Sequence, residues 1–218
     1  EALTVNNRTA EALAAIQKAL DKEPQNALFL THLGQAQYRQ FVEGVAKWAK
    51  DHGDSEMLGT ITSAIPGAQA GGSFRYSPEG GPVPGATDKT TLATRLPTEA
   101  IDPRFDPGHS AMGALRRPWA KMSEGEKQQQ EAPARRALAT FDKALAIQPD
   151  LVEAMRGRAS CLYGLGDFAA AGTAYEKVAT ARKTEPGPWA MAADSYALAG
   201  SPDEAIRCWQ TTIDVEPL

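Results

Sequence analysis

The chain has 218 residues, 42% hydrophobic and 23% charged, enough apolar side chain to bury one large core or two small ones and too much for a chain disordered throughout. Its net charge of −4 leaves no surplus of Lys and Arg to neutralise a phosphate backbone, which argues against nucleic-acid binding. Two cysteines, Cys161 and Cys208, cannot staple a small disulfide scaffold or fill a four-cysteine metal site. No apolar run reaches the ~20 residues of a membrane-spanning helix, and no signal-peptide pattern is present. The sequence starts at Glu1 rather than Met, so an upstream anchor or signal is one reading of its beginning.

In chain order, Ala12, Ile16, Ala19 and Pro24 have the spacing of the second helix of a helix pair. Asn7-Arg8-Thr9 fits a glycosylation triplet but is read as the preceding turn, with Thr9 as its cap and Glu1 inside a helix already under way. Leu30, Leu33-Gly34 and Tyr38 mark a first helix that continues through Val42 and Ala46, and His52, before Gly53, reads as a helix-ending residue.

Residues 54–117 break this pattern, since about a quarter of them are Gly or Pro, and loops of such length are usually functional or disordered. Runs such as Gly80-Gly81-Pro82 and Pro84-Gly85 cannot sustain a helix, so an extended insert is expected, with short ordered pieces over 58–65, 90–96 and 109–117. Phe74, Tyr76, Leu92, Leu96, Ile101 and Phe105 give the insert apolar side chains with which to dock on a surface. Residues 118–131 are polar and Gln-rich and are expected to form a displaced or irregular helix.

From Ala137 onward one pattern recurs every 34 residues: Ala137, Ala171 and Ala205; Phe141, Tyr175 and Trp209; and the pairs Met155/Trp189, Leu162/Tyr196 and Gly166/Gly200. Apolar residues between these marks fall at helical spacing, so each repeat is two helices around a turn, with Gly166 and Gly200 supplying the left-handed geometry that ends a helix. Ser201 and Glu204 match a capping box, and Pro202 suits the first helical position.

These residues resemble the tetratricopeptide repeat family. The resemblance is fullest in the last copy, through Trp189, Ala193, Tyr196, Gly200, Ala205, Trp209 and Pro217, with Ala192 and Thr212 as departures. It implies an all-α, tetratricopeptide-type helix-pair solenoid interrupted by the long Gly/Pro-rich irregular insert. The organisation expected is 1–53 for amino-terminal repeats, the first incomplete, 54–117 for the insert and 118–218 for carboxy-terminal repeats. The array ends without the polar helix that usually covers its last apolar face, so one or both ends are expected to be covered by further residues or by a partner.

Catalytic and metal patterns are thin. There is no Gly-x-Ser-x-Gly elbow and no phosphate-binding Gly-rich motif. His32, His52 and His109 share no two-ligand helical spacing, so neither a metal nor another cofactor is expected. Cys161 and Cys208 read as buried small apolar residues. Phe141, Tyr175, Trp189, Tyr196 and Trp209 read as packing, not as a base-stacking platform.

By offset, the resemblance implies that the inner face of the first helices lines a groove for a peptide or partner segment. It would present Glu153, Arg156, Ser160 and Tyr163 in one repeat and Ala190, Met191, Asp194, Ala197 and Leu198 in the next. Arg156 is the one residue comparable to a carboxylate clamp, so that specialised use is not expected. The function expected is a non-catalytic interaction scaffold or accessory subunit, binding a protein partner or a multi-subunit complex through this groove and through Phe74, Arg75, Tyr76 and Phe105 of the insert. A metal-binding or catalytic insert built on His109, Asp106 and His52 is the alternative. A third version sets the scaffold at a bacterial cell envelope, because repeat proteins of envelope assembly, including those that help mature c-type cytochromes, look broadly similar. No haem-attachment Cys-x-x-Cys-His occurs.

Overall fold

The computed structural model describes residues 2–53 and 121–215, with side chains from Glu11 onward in the first part. Among the described residues the secondary structure is helical throughout: α1 (Ala2–Leu20), α2 (Ala27–Asp51), α3 (Glu124–Ile147), α4 (Val152–Leu165), α5 (Phe168–Ala181), α6 (Pro186–Leu198) and α7 (Pro202–Val215). Each helix packs on the next in chain order, and α2 also touches α4. The ordered pieces expected within 54–117 lie outside the described residues.

Local sequence sets the helix ends. Asn26 caps α2, its side-chain oxygen accepting from the amides of Leu28 and Phe29 at 3.0 and 3.1 Å. At α3 the Ser123 hydroxyl accepts from the Glu126 amide while the Glu126 carboxylate accepts from the Ser123 amide at 2.8 Å, a reciprocal capping box. Asp167 caps α5. The two turns at the 34-residue spacing close alike: Gly166 and Gly200 have φ of 85° and 76°, and the amides of Asp167 and Ser201 reach back to the carbonyls of Leu162 and Tyr196. Pro202 opens α7 as expected.

Two local expectations are corrected. The turn expected at Asn7-Arg8-Thr9 is absent, because α1 runs through it without a break. Asn and Thr cost only a few tenths of a kcal/mol inside a helix, and the Ala, Leu and Glu around them carry it. The irregular helix expected over 118–131 is instead the first half of α3, which continues through Pro133 to Ile147. The sequence marks of a first helix are missing there because α2 plays that part: α2 and α3 pack along each other as one helix pair, with residues 52–123 between them in the chain.

Small residues permit the close crossings. Phe141 on α3 is fully buried between Gly34 of α2 and Gly157 of α4. A methyl at Gly34 would lie 2.8 Å from its Cε1, and one at Gly157 would overlap its Cζ. Around it the core continues through Tyr38, Phe41, Val42, Tyr163, Tyr175 and Tyr196, with Trp189 and Trp209 partly buried against it. The repeat-spaced aromatics are therefore packing residues, and Cys161 and Cys208 are buried free thiols, both as the sequence indicated.

Candidate functional site

The residues expected to line a groove divide by exposure. Glu153 and Arg156 are exposed on the first turns of α4, Leu198 is 41% exposed at the end of α6, and Met191 is half-buried. Ser160, Tyr163 and Asp194 lie in the packed interior. The Ser160 hydroxyl and the Tyr175 hydroxyl are 3.0 Å apart, and the Tyr163 ring meets the edge of Phe168 at a centroid distance of 5.3 Å. For Tyr163 the reason is the closeness of α2 and α4: a methyl at Gly164 would stand 2.8 Å from Phe41, which leaves the neighbouring Tyr163 no open face. Phe74, Arg75, Tyr76 and Phe105 lie outside the described residues, as do Asp106 and His109.

Glu153 and Arg156 belong to a four-member ion network whose other half comes from the connection between α5 and α6. Arg156 donates to Glu185 at 2.7 Å, Arg182 to Glu153 at 3.4 Å, and Arg182 stands 3.6 Å from Glu185. All four side chains are about half exposed, so the network adds little stability and its members can exchange partners at small cost. Sequence reasoning missed Arg182 and Glu185. A usable signal was the common separation of 29 residues in Glu153/Arg182 and Arg156/Glu185, a little less than one repeat.

A second polar cluster ties the last helices together. The Glu176 carboxylate on α5 accepts from the Tyr196 hydroxyl at 3.0 Å, from the Cys208 thiol at 3.3 Å and from Arg207. Burial opposes its charge, but these hydrogen bonds outweigh it and hold the carboxyl below its usual value. The Cys208 thiol is pushed up to about 12, by burial first and then by the neighbouring carboxylate. Burial likewise raises the Cys161 thiol. Neither is a nucleophile at neutral pH.

A third cluster joins the end of α2 to the start of α3. The Trp48 indole donates to Glu126 at 2.7 Å, and the His52 ring stacks on Trp48 at 4.0 Å while its Nδ1 lies 2.8 Å from the Trp48 carbonyl. Hydrogen bonds from the Ser123 hydroxyl, Trp48 and the Ser123 amide hold the Glu126 carboxyl down at about 2. His52, expected to end its helix, does so as the C-cap of α2. Among the described residues no three His, Cys, Asp or Glu side chains group as a metal-binding set, and no helix is long and apolar enough to cross a membrane.

No curated protein matches the sequence. A family model described as tetratricopeptide repeat matches residues 2–40 and 134–186. The first segment covers α1 and half of α2, and the second covers most of α3 with α4 and α5, stopping before the helix pair whose sequence marks are most complete. Helices paired in sequence, glycine-closed turns at a 34-residue interval and this match agree: the two matched segments are tetratricopeptide repeats.

Proposed function

We propose that the chain is a non-catalytic scaffold or accessory subunit that binds a protein partner along the first helices of its repeats, α2, α4 and α6, with the insert at 54–117 as a second contact. Tetratricopeptide repeats are in general protein–protein interaction modules. The observation that carries the reading is the ion network on α4. Glu153 and Arg156 are exposed and loosely paired, so a partner's charges can replace Arg182 and Glu185 with little loss. Leu198 and Met191 supply the apolar part of the surface. Ser160, Tyr163 and Asp194 act through packing, by fixing the helices that present these side chains.

The test is quantitative affinity isolation from the native source with the full gene product, comparing wild type with Arg156→Glu combined with Leu198→Glu. Both side chains are exposed, so the melting temperature should hold while the specifically retained partner is lost. Retention of the same partner at the same level by the double variant refutes the groove.

A further inference from the structure

We propose that Glu185 is the built-in occupant of an acid-binding site formed by Arg156 and Arg182, and that the partner docks by putting an Asp or Glu carboxylate of an extended segment in its place. This rests on the groove reading above and narrows it: Glu185 is exchanged and Arg182 stays, so the partner's charge is negative and the chain carries its own competitor for the site. The two arginines come from different elements, Arg156 from the first turns of α4 and Arg182 from the C-cap of α5. The Glu185 carboxylate reaches both, at 2.7 Å from Arg156 and 3.6 Å from Arg182.

The geometry marks Glu185 as a stand-in and not a strut. It holds the N-cap position of α6 yet makes no side-chain hydrogen bond to that helix, so its carboxylate serves the arginines in place of the amides an N-cap ordinarily satisfies. Pro186 behind it keeps its backbone extended, at φ −96° and ψ 115°, so the side chain can swing away with no change in the path of the chain. Arg182 is underused. Among the described residues its guanidinium gives one long hydrogen bond, 3.4 Å to Glu153, and meets Glu185 only at ion-pair distance, whereas a carboxylate free to approach takes two parallel bonds from such a fork at about 2.8 Å. The Glu185 side chain is 40% exposed, and an ion pair so open to water is held weakly.

Charge and spacing set what replaces it. Without Glu185 the network keeps two positive charges, Arg156 and Arg182, against the one negative charge of Glu153, and exposed Lys183 follows Arg182 in the chain, so an anion fits and a cation does not. Met191 and Leu198 lie six and thirteen residues beyond Glu185, about 9 and 20 Å along α6. An extended segment covers those distances in about three and six residues. The docked segment is therefore acidic at one point and apolar about three and six residues away from it.

Random dodecapeptides displayed on phage and selected against the immobilised full chain supply the probe, which is the most enriched sequence synthesised with a fluorescein label. Enriched sequences should carry Asp or Glu, and fluorescence anisotropy should show saturable binding that weakens at high salt. Arg156→Ala with Arg182→Ala should weaken binding roughly tenfold or more. Glu185→Ala should tighten it roughly two- to fivefold, because the competitor is gone and an exposed pair of this kind is worth no more. All three side chains are about half exposed, so circular dichroism and the melting temperature of these variants should match wild type. Binding by Glu185→Ala no tighter than by wild type overturns the proposal, as do enriched sequences without a carboxylate or no enrichment at all. Loss of binding in Leu198→Glu beside unchanged binding in Glu185→Ala refutes the competitor and leaves the groove standing, whereas wild-type binding by both Leu198→Glu and the double arginine variant refutes the two together.

Discussion

Gly157→Ala sets two familiar effects against each other in this fold. An alanine inside a helix is favoured over glycine by about 1 kcal/mol, which by itself would stabilise α4. The added methyl, however, overlaps Cζ of Phe141, and the ring has no room to retreat because Gly34 of α2 bounds its other side, so closely that a methyl there would stand only 2.8 Å from Cε1. Overpacking a filled core costs about 1–3 kcal/mol, and a ring held on both sides belongs at the upper end. The expected net loss is about 2 kcal/mol, or a fall in melting temperature of roughly 4–8 °C for a chain of this size. Urea denaturation followed by far-ultraviolet circular dichroism measures it, provided the slope of the transition is unchanged. Phe141→Leu relieves the clash, so the double variant should be more stable than the sum of the two singles implies by about 1 kcal/mol or more. Gly157→Ala as stable as wild type, or strict additivity in the cycle, would refute a crossing held this closely.

Glu176 has a folded-state pKa below its unfolded value, so its contribution to stability is present above the ordinary carboxylate pKa of about 4.3 and is lost as pH falls through the lowered folded value. Glu176→Gln should therefore be less stable than wild type at neutral pH, and the gap should close on acidification; a constant gap in pH-dependent denaturation would contradict this. Trp48→Phe removes the indole donor to Glu126, and the carboxyl should then titrate higher than about 2, as carbon-detected NMR would show. Cys161 and Cys208 should resist a disulfide reagent at pH 8 until the chain is unfolded, because burial raises both thiols.

The parts of the fold that were legible in the sequence are those governed by local spacing. Ala137, Ala171, Ala205 and their aromatic companions recur without insertion, and Gly166 and Gly200 end helices as their place in the pattern requires. The pairing of α2 with α3 was not legible, because its signal is split across residues 52–123 and spacing arguments reach only along continuous chain. The site followed the same division. Glu153, Arg156 and Leu198 are exposed, whereas Ser160, Tyr163 and Asp194 are buried because of how closely neighbouring helices approach, as Gly164 allows beside Tyr163, and no periodicity encodes that distance. Arg182 and Glu185 sit on a connection and not on the inner face of a first helix, so offsets that mark the groove pass over them and only their shared 29-residue separation from Glu153 and Arg156 points to them.

Because α2 meets its companion only after a long excursion of the chain, the two halves of the molecule must come together on different schedules. The later helices join neighbours across connections of a few residues, while the bond from Thr140 to Gln37 spans 103 positions and that from Trp48 to Glu126 spans 78. Closing so wide a loop in place of a tight turn costs about 2–3 kcal/mol of chain entropy. On the ribosome, α1 and α2 emerge first yet wait for α3, so an early-made segment with a greasy stripe stays open to chaperones or to premature association until the middle of the chain has been synthesised.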